Sequence, residues 1–144
     1  MKRRRAAKVE YAGFWLRLAA FIIDQIILGG IGFVIGFFIG MMFPAVAIFS
    51  TQGFWNIAGI FISWVYYAQL ESSSKQATFG KQLMHIKVTD YKNKKISFAR
   101  ASARFFGKIF SGLILGIGFL MIAFTEKKQG LHDIIAGCLV VKSK

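Results

Sequence analysis

One cysteine, one proline and six acidic side chains are all that 144 residues contain of those types. A single thiol, Cys138, excludes an internal disulfide framework and a zinc site built from several thiolates. The largest absence is of charge itself: from Ile26 to Leu70, 45 consecutive residues include no Asp, Glu, Lys or Arg. That is more than twice the roughly 20 residues needed to cross a bilayer, so the stretch crosses more than once or is broken. What the chain does have is apolar and basic. Hydrophobic residues make up 56%, Phe occurs 16 times, and mean hydropathy is +0.54, too much apolar surface for a soluble domain of this size to keep dry. Lys and Arg number 19, for a net charge of +13. The basic residues flank apolar segments and accompany no nucleic-acid fold pattern, so anionic lipid head groups, and not nucleic acid, are the expected partner.

Pro44 begins the natural break in the long run, and Ser50, Thr51, Gln52 and Gly53 extend it as an uncharged loop. Two spans follow, about 14–43 and 54–70. A third apolar segment, about 105–125, has a charge-free part from Ile109 to Thr125 of 17 residues, at the lower limit for a span. Ile134 to Val141 is too short to cross. The basic start (residues 1–10) holds Lys2, Arg3, Arg4, Arg5 and Lys8 against Glu10, and residues 71–108 hold nine basic and two acidic side chains. By the positive-inside rule both segments are cytoplasmic and the Pro44 loop faces outward. A third full crossing would export the basic residues beyond Thr125, including the tail at 142–144. A re-entrant or interfacial layout turning at Gly112, Gly116 or Gly118 keeps them inside and is favoured, although charge bias alone leaves both layouts open. Ala45, Val46 and Ala47 form an A-x-A pattern, but the apolar region before it is too long for a secretory leader, and an uncleaved anchor is expected.

Asp24 interrupts the first span, with Arg17 near its start. The carboxylate opposes insertion by about 2.5–3.5 kcal/mol, whereas the 15 Leu, Ile, Phe and Val residues between Leu18 and Phe43 favour it by roughly 7 kcal/mol in all. The helix inserts. Arg17 and Asp24 share a face about 10 Å apart along the axis, too far and too divergent for direct pairing. Asp24 therefore needs another partner: a basic side chain, water, an ion or a proton. Ser97 to Phe110 reads as an amphipathic helix capped by Ser97, with Arg100 and Arg104 one turn apart and Lys108 close to their stripe. These cations either reach a buried neighbour such as Asp24 or meet lipid head groups. Gly32, Gly36 and Gly40, and likewise Gly112 and Gly116, have G-x-x-x-G spacing, for which close helix packing within the monomer or a homo-oligomer is the expected use. Ile86 to Thr89, closed by a turn at Tyr91 to Lys95, and Cys138 to Val141 read as strands, and pairing would put both on one side of the membrane. The sequence predicts an all-α integral membrane protein with two full transmembrane helices, an amphipathic interfacial helix, a third apolar segment that re-enters or spans, and a small cytoplasmic two-stranded β pairing.

The arrangement resembles the RDD family of small membrane proteins. The matching residues are Tyr11, Ala12, Gly13, Phe14 and Trp15, then Arg17 and Asp24; Thr78 to Met84; Arg100 and Arg104; and Gly130, Leu131, His132, Asp133, Ile135, Ala136 and Gly137. The resemblance runs from about Tyr11 to Val141 and departs from the usual pattern at Cys138, where Thr or Ser is more common. It implies that Arg17, Asp24 and Asp133 are the name-giving Arg and two Asp, and that the chain is a multi-pass plasma-membrane protein of a bacterium with its N-terminus in the cytoplasm. It also brings the suggestion of cation/proton antiport made for some members. Two functions stay open. In one, Asp24, with Asp133 approaching, binds a monovalent cation or proton while Arg17 or Arg104 competes for the carboxylate. In the other, the charges form a buried packing network in a structural or accessory subunit. No nucleophile, phosphate loop, metal-ligand cluster or cofactor motif stands at a supporting spacing, so an enzyme is not expected. Cys138 is expected to be a small packed hydrophobe.

Overall fold

The computed structural model describes residues 9–49, 52–114 and 116–143. The basic residues 2–8, positions 50 and 51 of the predicted outer loop, and Lys144 lie outside this range. Among the described residues seven helices and two strands follow in the order α1 (Phe14–Met42), α2 (Pro44–Phe49), α3 (Gln52–Ser72), α4 (Phe79–Leu83), β1 (Ile86–Asp90), α5 (Phe98–Leu113), α6 (Ile117–Phe124), α7 (Leu131–Ala136) and β2 (Cys138–Lys142). The boundaries of α1 and α3 fall within two residues of the expected spans. Pro44 does not open an irregular loop as predicted: it starts α2, where its fixed φ and missing N–H suit the first helical position.

α1 is 29 residues long, about 43 Å of helix, and among the described residues it is the one helix long and apolar enough to cross a membrane by itself. α3 has 21 residues but includes Gln52, Asn56, Gln69 and Glu71. Burial along α1 is inverted relative to a water-soluble helix. Its buried residues are Arg17, Ala20 and Asp24, whereas Ile26 is 70% and Phe33 75% exposed. Polar groups face the protein and apolar ones face outward, the pattern that a hydrocarbon solvent favours.

The third apolar segment is broken. α5 and α6 are bent by 104° at a break that includes Gly116, whose φ of +75° lies in the left-handed region open to glycine. Gly116 is thus one of the three turning points expected for a re-entrant layout. Ser97 caps α5 as predicted, accepting from the Arg100 amide at 3.3 Å. The buried stripe of α5 is Ala101, Arg104, Gly107 and Ser111. Arg104 therefore points inward and Arg100 does not.

The two predicted strands pair antiparallel, Ile86 opposite Lys142 through Asp90 opposite Cys138. The turn after β1 is held by the Asp90 carboxylate, which accepts from the amides of Lys92 at 2.8 Å and Lys94 at 2.7 Å. A third segment joins the same ladder. Tyr11 bridges Val141, the Ala12 amide donates to the Val140 carbonyl at 2.9 Å, and the Lys142 amide donates to the Glu10 carbonyl at 2.8 Å. The small core beneath it contains Ala12, Ile86, Val88, Ile96, Cys138 and Val140.

Close glycine packing within the described chain occurs away from Gly32, Gly36, Gly112 and Gly116. A Cβ on Gly32, Gly36, Gly112 or Gly116 would meet nothing within 4 Å, so these positions pack on no element of the described chain. Gly80 is where the space is tight: its Cβ would lie 2.1 Å from the Ala20 carbonyl oxygen and 2.9 Å from the Asp24 carboxylate. Because backbone cannot yield there, Gly80→Ala is expected to lower stability by about 3 kcal/mol or more. Gly112→Ala is expected to leave it unchanged or raise it by up to about 1 kcal/mol. Thermal unfolding in mild detergent compares the two.

Candidate functional site

Arg17 near the start of α1, Arg104 in the middle of α5 and the Gly130 amide converge on Asp133, in the first turn of α7. Its Oδ1 accepts from Arg104 Nε of α5 at 2.7 Å, and its Oδ2 accepts from Arg17 Nη1 of α1 and from the Gly130 amide at 3.2 Å. Arg104 also donates through Nη1 to Glu71 Oε2 of α3 at 2.7 Å, and Glu71 Oε1 receives Lys81 Nζ of α4. The result is a chain of alternating charge, Arg17, Asp133, Arg104, Glu71 and Lys81, in which every member is buried. Arg17 also donates to the carbonyl oxygens of Ala12, at 3.0 Å, and Lys128. Burying charges is tolerable when each is paired, and every member of this network has a partner of opposite charge.

Asp24 lies apart from this chain. It is 0% exposed, and its carboxylate accepts from Tyr66 Oη at 2.8 Å, the Gly80 amide at 2.8 Å and Thr78 Oγ1 at 2.6 Å. Thr78 is at the same time the cap of α4, so Asp24 fastens the start of α4 to the middle of α1. Neither Arg17 nor Arg104 competes for Asp24, and Asp133 does not approach it as a joint binder: both arginines are engaged by Asp133 and Glu71. Arg100 is exposed and outside the network. The lipid-facing reading of Arg104 gives way to its burial at 2% exposure.

The spacing argument missed Glu71 and Lys81 as network members and Thr78 and Tyr66 as partners of Asp24. Glu71 carried a usable signal, since it is the sole acid in α3 and directly follows the charge-free run.

Burial alone would raise the Asp133 carboxyl, but the guanidinium groups of Arg104 and Arg17 overcome it and hold it well below the carboxylate range. His132 has the opposite problem. Burial, together with the charges of Arg104, Lys108 and Arg17, outweighs the attraction of Asp133 and pushes its imidazole down to about 3. Its Nδ1 has no partner among the described residues, and its ring packs on Phe119 with centroids 5.1 Å apart. Cys138 is buried, and desolvation raises its thiol to about 11, the behaviour of a packed small hydrophobe.

Beside the network a cavity of about 440 Å³ opens between α1, α3, α5 and α6. Its walls include Phe14, Leu18, Phe21, Phe105, Ile109 and Ile122, and its polar end includes Asp24, Tyr67, Lys81, Arg104 and Lys108. Among the described residues no group of three or more His, Cys, Asp or Glu side chains could hold a metal ion.

An ionic interior wrapped in exposed apolar side chains is the arrangement expected of a membrane protein. The model of the RDD family matches residues 11–137, and the chain belongs to that family. It is 38% identical over 146 residues to the uncharacterized protein YxaI of Bacillus subtilis (strain 168), covering 90% of this chain and 96% of YxaI. It is 28% identical over 145 residues to the uncharacterized membrane protein YteJ of the same strain, covering 93% and 82%. The uncharacterized protein RP437 of Rickettsia prowazekii (strain Madrid E) is 34% identical over 88 residues, covering 60% of this chain and 44% of RP437. No solved structure matches the chain.

Removing one member of the network strands the others. Asp133→Asn is expected to cost about 3–5 kcal/mol, whereas Arg100→Gln is expected to change stability by no more than about 0.5 kcal/mol; detergent melts distinguish the two. The pH dependence follows from His132. The unfolded chain takes up its proton near the ordinary 6.5 and the folded chain only near 3. The unfolded state therefore binds more protons in between, and stability falls as pH drops through that window. His132→Gln is expected to flatten the slope of melting temperature between about pH 6.5 and 4.

Proposed function

We propose that this RDD protein is a two-crossing, non-enzymatic protein of the bacterial plasma membrane that serves as a structural or accessory module. In this reading its Arg, Lys, Asp and Glu residues form a packing lock. The supporting observation is saturation: both oxygens of Glu71 and of Asp133 are engaged by cations, and Asp24 holds three neutral donors. A carrier needs a carboxylate that exchanges its partner, and here each would have to break several buried bonds to do so.

The topology rests on the three-part ladder. Hydrogen-bonded strands cannot reach across a bilayer, so Glu10 to Ala12, β1 and β2 belong to one side. That leaves α1 and α3 as an outward and return crossing, with α5 and α6 entering and leaving by the same face. The basic segment at 71–108 makes that face cytoplasmic. A reporter fused after Lys144 is expected to read cytoplasmic; a periplasmic reading would remove the two-crossing layout.

A second reading, cation/proton exchange, draws on one observation: Asp24 lines the cavity and pairs with no Lys or Arg among the described residues. Buried membrane carboxylates of that kind are functional candidates by default. Proteoliposomes carrying pH and cation reporters decide between the readings. The accessory role predicts no cation-driven proton movement in the wild type and a loss of stability in Asp24→Asn. Wild-type exchange that disappears in a folded Asp24→Asn variant would replace it with the carrier.

A further inference from the structure

The cations around the cavity outnumber the acids. Arg17, Lys81, Arg104 and Lys108 face the carboxylates of Asp24, Glu71 and Asp133. The surplus falls on Lys108. Glu71, its nearest acid, already gives Oε1 to Lys81 and Oε2 to Arg104, and Lys108 Nζ stays 3.8 Å from Oε1, beyond hydrogen-bond length. It rests instead 4.2 Å above the Tyr67 ring. Its ammonium makes no hydrogen bond among the described residues, in a cavity whose lining is mostly apolar.

We propose that this cavity holds one anionic phospholipid of the cytoplasmic leaflet, with its phosphate on Lys108 and an acyl chain against Phe14, Leu18, Phe21, Phe105, Ile109 and Ile122. The sign of the surplus selects an anion, and the walls select an amphiphile. The mouth is formed by side chains that face outward, Phe21 at 47% and Ile109 at 42% exposure, so entry is from the hydrocarbon side. The lining of α1 runs from Phe14 to Gln25, about 16 Å along the axis, against about 15 Å for one leaflet's share of the hydrocarbon core. A volume of about 440 Å³ suits a single acyl chain, and the rest of the lipid stays in the bilayer. A second copy of the chain does not suit the charge. Of its six acids, Asp24, Glu71 and Asp133 are buried, and Glu10, Asp90 and Glu126 lie outside α1 and α3.

The proposal rests on the membrane placement above and is independent of whether Asp24 exchanges protons. Its test is native mass spectrometry of the full chain in mild detergent, titrated with phosphatidylglycerol or phosphatidylcholine. One phosphatidylglycerol per chain is expected, bound about tenfold more tightly than phosphatidylcholine because only the former adds a net negative charge. Lys108→Gln is expected to lose about tenfold in phosphatidylglycerol binding, Lys108→Arg to retain it, and Arg100→Gln, on the exposed face of the same helix, to bind as the wild type does. Should Lys108→Gln fail to fold, Ile109→Trp at the mouth tests the cavity without altering charge and is expected to exclude the lipid. Equal retention by Lys108→Gln and Arg100→Gln, equal binding of the two lipids, or displacement of the lipid by millimolar inorganic phosphate would overturn the proposal. If alkaline carbonate strips the chain from membranes, the membrane placement fails as well; a chain that resists carbonate and retains no lipid defeats this proposal alone.

Discussion

The architecture depends on one carboxylate. Asp133 receives Arg17 from α1 and Arg104 from α5, and through Arg104 it is tied to Glu71 at the end of α3 and onward to Lys81 in α4. Four helices are fastened to α7 by charge. In a bilayer this is a physical necessity, because helices gain nothing by hiding Leu from lipid tails that are as apolar as Leu. Specific polar bonds and close backbone approach must then hold the helices together. The chain uses both: ion pairs at the Asp133 end, and at Gly80 a backbone pressed onto Ala20 and Asp24.

The elements were largely legible in the sequence because each has a local cause. A charge-free run longer than a span, a capping serine at position 97 and alternating polar and apolar residues before a turn all act within a few residues. The break in the third apolar segment was legible as a set of candidate glycines, and the conformation of Gly116 decides among them. Partner choice was not legible, because it depends on distances across the fold. Arg17 and Asp24 share a helical face, yet Arg17 reaches Asp133, 116 residues away, and Asp24 is served by Tyr66, Thr78 and the Gly80 amide. Arg100 and Arg104, one turn apart, go opposite ways: a stripe centred on Ala101, Arg104 and Gly107 leaves Arg100 at its edge. Resemblance to the family marked Thr78, Gly80 and Lys81 as positions without saying what they touch.

The glycines teach a related lesson. G-x-x-x-G spacing describes a smooth helix face and says nothing about what lies against it, and in α1 the space beside Gly32 and Gly36 is open. Gly80, Gly107 and Gly118 have no such spacing among themselves, yet they are pressed against Asp24, His132 and Ser111 respectively. Their need for a missing side chain comes from the crossing of short segments around the ionic core.

The ladder that joins residues near the start, middle and end of the chain also sets an order on biogenesis. Arg17 emerges from the ribosome 116 residues before Asp133, and Glu10 and Ala12 emerge long before their partners in β2. α1 and α3 are therefore made while Arg17 still lacks its counterion, and the ladder closes only once β2 has been made. The synthesis of α7 and β2, more than that of the long helices, is the moment at which this protein acquires its native connections.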